Sequence, residues 1–281
     1  MKRELRFIIP DCYTDKSRAH FDKHGVTYAG ILYANMLIKH LPEAKYDIFY
    51  TSSSDILPEG DELDKYSAII WPGCNLTVYH EHDERVVKLV KLSKEAYEKG
   101  LPQFGSCWAA QIAVYAAGGK VAANPKGREM GIARKIYLTD EGKTHPLMEG
   151  KPHVFDAFVS HDDIITEVPD GGTVLASNDF APVQAIEVKH KKGVFWATQY
   201  HPELNLKEIA RLISAREEIL TKQGYFRNHE DLLSYVEDLE TVFNDPSRKD
   251  LRWKYDIDDT ILSDEMREKE FVNWLKKMVI A

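Results

Sequence analysis

Pro102-Gln103-Phe104-Gly105-Ser106-Cys107-Trp108-Ala109-Ala110-Gln111 runs from a short apolar segment into a helical pattern with almost no loop, and a cysteine stands at the junction. A strand that meets a helix through so sharp a turn lifts the side chain at the turn above the sheet, the geometry of a nucleophile elbow. The following helix directs its positive N-terminal end at the sulfur and favours thiolate over thiol. Gly105 before the turn and Ala109 after it are small enough to let strand and helix approach closely. Taken alone, Cys107 reads as a buried cysteine at a strand end. Any catalytic role rests on partners elsewhere in the chain.

Outward from this junction the same alternation continues. Strand-like apolar runs occupy residues 5–9, 46–50, 67–71 and 101–105, and helical patterns occupy 26–41, 83–99 and 108–117. The helix over 83–99 opens acidic, closes basic and has Gly100 placed as its C-cap, in keeping with the helix dipole. Ser52-Ser53-Ser54 with Pro58 and Gly60 reads as a loop. Between about 135 and 198 strand-like pieces dominate (154–159, 173–176, 185–188 and 194–198), joined by turns such as Asp170-Gly171-Gly172. Alternating strands and helices predict an α/β fold with a mostly parallel sheet covered by helices. After Glu203 the pattern becomes helical at 206–222, 228–243 and 264–279, with Asn228 and Ser263 as N-caps. The expected division is an α/β domain over 1–203 and a C-terminal helical extension over 204–281.

The 281 residues carry 37 Lys+Arg against 45 Asp+Glu, a net charge of −8. Phosphate neutralisation needs clustered cation, so the balance argues against nucleic acid as a partner. The one dense basic run, Lys189 to Lys192, reads as a hairpin turn. No stretch of about 18 uncharged apolar residues exists, which argues against a membrane span. Met1-Lys2-Arg3-Glu4 leads into no apolar signal region. Cys12, Cys74 and Cys107 are odd in number and lack C-x-x-C spacing, so a reducing, cytoplasmic setting without disulfides is expected. No G-x-x-x-x-G-K-[ST] phosphate loop occurs.

Gln199-Tyr200-His201-Pro202-Glu203 follows the apolar run at 194–198. In extended backbone, residues two apart point the same way, so His201 and Glu203 can face one site. Pro202 between them stiffens the pair. A carboxylate that holds an imidazole supplies the second and third members of a Cys-His-acid relay.

With these residues the chain resembles the class I (triad) glutamine amidotransferases, in particular the stand-alone branch related to the amidotransferase part of GMP synthase. Their elbow pattern is matched by Pro102, Gly105, Cys107 and Gln111, and their closing His-Pro-Glu by His201-Pro202-Glu203. Their upstream glycine turn is matched by Trp71-Pro72-Gly73-Cys74, and their Ser-His-x-Asp segment by Ser160-His161-Asp162-Asp163. The resemblance spans about residues 5–203. It implies a flavodoxin-like sheet, with Cys107 as nucleophile, His201 as base and Glu203 orienting it. It also implies an oxyanion hole from the N–H groups of Gly73 and Trp108, and glutamyl binding by Gln111, Ser160 and His161. The implied substrate is glutamine or another γ-glutamyl amide, hydrolysed through a thioester with no metal or cofactor.

The chain departs from the family at Ala109 and Ala110, where many members have glycine and histidine; the methyl groups narrow the space near the sulfur and put strict glutamine specificity in doubt. Cys74 reads as an incidental thiol. His80-Glu81-His82-Asp83-Glu84 reads as an acidic helix start rather than a metal site. Cys12 follows the first strand, where ligand crevices form, and reads equally as core or as lining the site. Arg128-Glu129, after the Lys126-Gly127 turn, reads as a surface turn in preference to a substrate-side loop. Two other functions fit the same fold: an acyltransferase of the homoserine-acylating type, which Trp108 suggests, and a non-catalytic binding scaffold. For partners, either a synthase subunit is supplied in trans or the chain acts alone on small γ-glutamyl amides. The tail is expected to pack on its own domain and to contribute to a homodimer.

Overall fold

Phe7 and Ile9 of the first strand face one side of the sheet and Ile8 the other, and all three are fully buried. Ile69 and Trp71 likewise oppose Ala68 and Ile70 on the third strand. Strands that are apolar on both faces must be covered on both, which is why their sequences read as unbroken apolar runs. The computed structural model describes residues 4–52 and 55–280. The expected loop at Ser53-Ser54 and the N-terminal Met1, Lys2 and Arg3 therefore lie outside the described residues, as does Ala281.

The strands are β1 (Arg6–Asp11), β2 (Lys45–Tyr50), β3 (Ala68–Trp71), β4 (Gln103–Ser106), β5 (Lys120–Ala123), β6 (Glu129–Leu138), β7 (Val154–His161), β8 (Asp163–Glu167), β9 (Gly172–Ser177), β10 (Ala185–His190) and β11 (Gly193–Thr198). The first helices are α1 (Asp15–Lys23), α2 (Ala29–His40), α3 (Glu84–Lys99), α4 (Trp108–Ala116) and α5 (Asp140–Thr144). They are followed by α6 (Leu206–Ala215), α7 (Glu217–Lys222), α8 (His229–Asn244), α9 (Lys249–Tyr255), α10 (Asp259–Leu262), α11 (Asp264–Arg267) and α12 (Lys269–Trp274). Nine strands form one sheet in the order β2-β1-β3-β4-β11-β10-β9-β6-β7, and β5 pairs with β8 in a separate two-stranded ribbon. The sheet is parallel from β2 through β4 to β11. Beyond β11 it is antiparallel, with β10 and β11 joined across the Lys189–Lys192 hairpin, where Lys191 has φ 52°.

Helices α3 and α4 cover one face through Leu89, Tyr97, Trp108 and Ile112. The predicted cap of α3 is present: Gly100 sits in the left-handed region at φ 75°. The other face is covered by α2 and by the end of the chain. Phe271 and Trp274 of α12 lie against Phe104 with ring centroids 5.5 and 5.4 Å apart, and Trp274 reaches Phe7 at 6.3 Å. The C-terminal helices thus share the main core with β1 and β4. A third apolar cluster joins α6 and α8 to Tyr13, Phe21 and Phe158. The tail differs in detail from the sequence reading. The helix expected over 206–222 breaks at Arg216 into α6 and α7, and residues 249–255, to which the sequence reading gave no element, form α9. The helix expected over 264–279 is likewise divided, into α11 and α12. Among the described residues, no helix is long and apolar enough to cross a membrane.

Candidate active site

Strand β4 ends at Ser106 and α4 begins at Trp108, leaving Cys107 as the whole connection. Its backbone adopts φ 57° and ψ −103°, an unfavourable conformation for a residue with a Cβ. Such strain costs on the order of 1–3 kcal/mol and persists only where its surroundings fix it. Here the Cys107 N–H donates to the Thr198 carbonyl at 2.7 Å, tying the turn to the end of β11. Gly105 is obligatory: a Cβ there would lie 2.1 Å from the Trp71 carbonyl oxygen and 2.6 Å from the Ala109 methyl. The close approach expected of Gly105 and Ala109 is therefore present.

His201 and Glu203 meet the cysteine from the end of β11. Nδ1 of His201 donates to Oε1 of Glu203 at 2.7 Å. The pairing does not come from extended backbone: the strand stops at Thr198, residues 199–203 are bends and a turn, and the Leu204 N–H reaches back to the His201 carbonyl at 3.4 Å. The His201 N–H donates to the Phe158 carbonyl at 2.8 Å, which fixes the turn against β7. Burial opposes charge on the imidazole, but Glu203 and the nearby Cys107 sulfur outweigh it and raise the His201 pKa to about 10. Nε2 of His201 is buried with no hydrogen-bond partner. A group raised from 6.5 to about 10 on folding contributes stability in full below pH 6.5 and loses it as pH climbs through 10. Wild type should therefore lose more stability than His201→Gln across that interval in urea titrations. A gap between the two that does not narrow with rising pH would contradict this.

Two groups that the sequence reading missed stand beside Glu203. Ser106 donates through Oγ to its Oε1 at 2.9 Å. Tyr33, fully buried on α2, lies close enough that its own ionisation is suppressed, first by burial and then by the Glu203 charge. Period-two alternation puts Ser106 and Phe104 on one side of β4, a signal available in principle; Tyr33 carries no such signal.

Gly73, in the loop after β3, lies beside both groups: a Cβ there would be 2.9 Å from Cε1 of His201 and 3.3 Å from the Cys107 Cβ. Trp108 is the first residue of α4, where a backbone N–H has no intrahelical acceptor. Its ring is buried in the core rather than in the cavity.

A cavity of about 210 Å³ opens beside the sulfur, lined among others by Cys74, Cys107, Gln111, Ser160, His161 and Arg216. The Cys107 thiol faces the Ser160 carbonyl at 3.6 Å, and Gln111 donates to the Asp163 carbonyl at 3.4 Å. Both ring nitrogens of His161 face acceptors, the Asp163 carbonyl at 3.0 Å and Oε2 of Glu129 at 2.8 Å. Glu129 also receives Asn178 and Gln184 at 2.7 and 2.9 Å. This corrects the surface-turn reading of Arg128-Glu129. Glu129 is buried on β6 as the anchor of the His161 wall, and Arg128 lines the cavity. Cys74 is half-buried at the cavity wall, and burial followed by the neighbouring Cys12 sulfur pushes its thiol well up. Asp83 caps α3 by accepting from the Arg85 N–H at 3.0 Å, and among the described residues no cluster of three metal-ligating side chains occurs.

A thiol and a carboxylate-held imidazole set on either side of a glycine turn can support acyl transfer through sulfur. Residues 27–217 match the family described as glutamine amidotransferase class-I. The chain is 29% identical to a γ-glutamyl-L-1-hydroxyisopropylamide hydrolase from a Pseudomonas species, over 99% of this chain and 94% of that protein. It is 33% identical to a glutamine-hydrolysing GMP synthase of Streptomyces avermitilis over 62% of this chain, and spans 31% of that protein's length. A solved glutamine amidotransferase from Thermotoga maritima superposes with a TM-score of 0.71, covering 99% of this chain and 100% of the other at 17% identity.

Proposed function

The chain belongs to the class I glutamine amidotransferases and is a hydrolase of the glutamine-amidotransferase type, and on that premise we propose that it cleaves N-substituted γ-glutamyl amides through a thioester on Cys107. The observation that carries the chemistry is that Cys107 and the His201–Glu203 pair stand at the ends of two neighbouring strands, with Gly73 close to both the imidazole and the cysteine. The Cys107 sulfur, its proton already held by His201, attacks the amide carbon. His201 returns that proton to the departing amine as the C–N bond breaks, and Glu203 keeps the imidazole oriented throughout. The N–H groups of Gly73 and Trp108 face the oxyanion. Water, deprotonated by His201, then attacks the thioester; glutamate leaves and the thiol is restored.

The choice of a substituted amide over glutamine rests on the relatives. Contrary to the expectation from the sequence, the methyl groups of Ala109 and Ala110 are buried in the core and do not line the cavity beside Cys107. The relative that acts on a substituted γ-glutamyl amide matches almost the full chain, tail included, whereas the GMP synthase match leaves out most of that protein. The purified chain alone should hydrolyse γ-glutamyl alkylamides at least tenfold more efficiently than glutamine, with a glutamyl adduct on Cys107 seen by mass spectrometry. Negligible turnover of the whole panel, with glutamine hydrolysis appearing on addition of a synthase subunit, would replace this reading with a trans-acting partner.

A further inference from the structure

Arg216 stands where α6 breaks into α7, and its guanidinium points back into the cavity beside Cys107. It donates through Nη1 to the Ser160 hydroxyl and through Nη2 to the Tyr13 hydroxyl at 3.4 Å. Both partners are neutral. Every other described arginine forms an ion pair with a carboxylate, so Arg216 alone among them has no carboxylate within ion-pair distance, although Asp162, held by Arg128, and Asp163 line the same cavity. Arg128 lines the same cavity from the opposite chain segment, held by Asp162 and by Oε1 of Gln223 at 3.1 Å. Burial and then the positive field of Arg216 weaken its own charged form. Two guanidinium groups converging on an enclosed space, one of them without an ion-pair partner, favour an anion between them.

The position of that anion relative to the sulfur follows from Ser160. Its carbonyl faces the Cys107 thiol and its hydroxyl faces Arg216, so one residue separates nucleophile from cation. In a γ-glutamyl group, three carbons separate the scissile carbonyl from the α-carboxylate, a similar short span. Resting on the γ-glutamyl hydrolase reading, we infer that Arg216, supported by Arg128, binds the α-carboxylate of the substrate and sets the requirement for a free one. A residue from the C-terminal helices thereby takes part in specificity. Ser160 and Tyr13 hold the guanidinium in place before substrate arrives, so little ordering is needed on binding.

The test compares wild type and Arg216→Gln on a γ-glutamyl alkylamide and on its α-carboxamide analogue. Arg216→Gln should raise KM for the free acid about 10- to 100-fold with kcat changed far less, the signature of lost uniform binding. Amidating the α-carboxylate should cost wild type a similar factor and cost the variant almost nothing more. Arg216→Lys should recover part of the loss, because it restores charge without the planar fork. If the two penalties multiply, or if the variant's penalty follows a carboxylate on the leaving amine instead, the assignment is wrong. Equilibrium binding of L-glutamate against its α-amide, isoglutamine, gives a readout independent of turnover. Preference for glutamate in wild type, lost in Arg216→Gln, supports the subsite even if no γ-glutamyl amide is hydrolysed, in which case only the hydrolase reading falls. Turnover without that preference overturns the subsite and leaves the hydrolase reading standing.

Discussion

Cys107→Ala should remove hydrolysis of γ-glutamyl amides by a factor on the order of 10⁴ to 10⁶ in kcat/KM while leaving the melting temperature nearly unchanged. Triad members act as a unit, so loss of the nucleophile alone erases most of what the three achieve together. His201→Ala should cost nearly as much. Glu203→Gln should retain measurable activity, because Ser106 still donates to the side chain at that position and the imidazole is held loosely rather than released. The fold should tolerate the alanine. The turn is fixed by the Cys107 N–H to Thr198 bond and by the space that Gly105 leaves, neither of which involves the sulfur. Steady-state kinetics with circular dichroism melts decide the matter, and full turnover in Cys107→Ala would sink the thioester mechanism.

Glu270→Ala should lower unfolding stability by about 3–5 kcal/mol, the largest loss expected from any single charge deletion here. Glu270 on α12 is fully buried. Its Oε1 lies 3.1 Å from Nζ of Lys151, whose side chain is 2% exposed, and it also accepts from the Tyr200 hydroxyl. Burial already pushes the Lys151 pKa down, and Glu270 is the main group resisting that. Without the carboxylate, a buried ammonium is left with no counter-charge and a buried phenol with no acceptor. Tyr200 precedes His201, so the same change should also loosen the catalytic turn and lower kcat. Urea unfolding measures the first effect. A loss below about 1 kcal/mol would mean that water reaches Lys151. The paired change Lys151→Met with Glu270→Leu should be far milder than Glu270→Ala, since it removes both charges together.

Much of the site is legible in the chain because its requirements are local. An elbow needs a glycine where strand and helix touch, and Gly105 meets the Trp71 backbone closely enough to forbid any other residue. The Gly100 cap and the Asn228 cap are likewise set by one or two neighbouring peptides. His201 and Glu203 are two residues apart, so their meeting was readable, although a turn rather than an extended strand brings it about. The antiparallel half of the sheet was visible only as a run of strands and turns, because pairing order is not written in any one strand.

By itself, then, the sequence determined the elements that depend on near neighbours: the strand-helix alternation, the elbow, the caps and the His-Pro-Glu turn. The tertiary structure alone decided which distant groups support them. Tyr33 approaches Glu203 across 170 residues of chain, Glu129 reaches His161 across 32, and Arg216 reaches Ser160 across 56. Nothing local marks these side chains, since a tyrosine on a buried helix face or an arginine at a helix break satisfies its own segment in many ways. Their partners are chosen by the order in which strands join the sheet and by the return of the last helix onto β4. Burial then makes each such polar pairing costly to leave unmet.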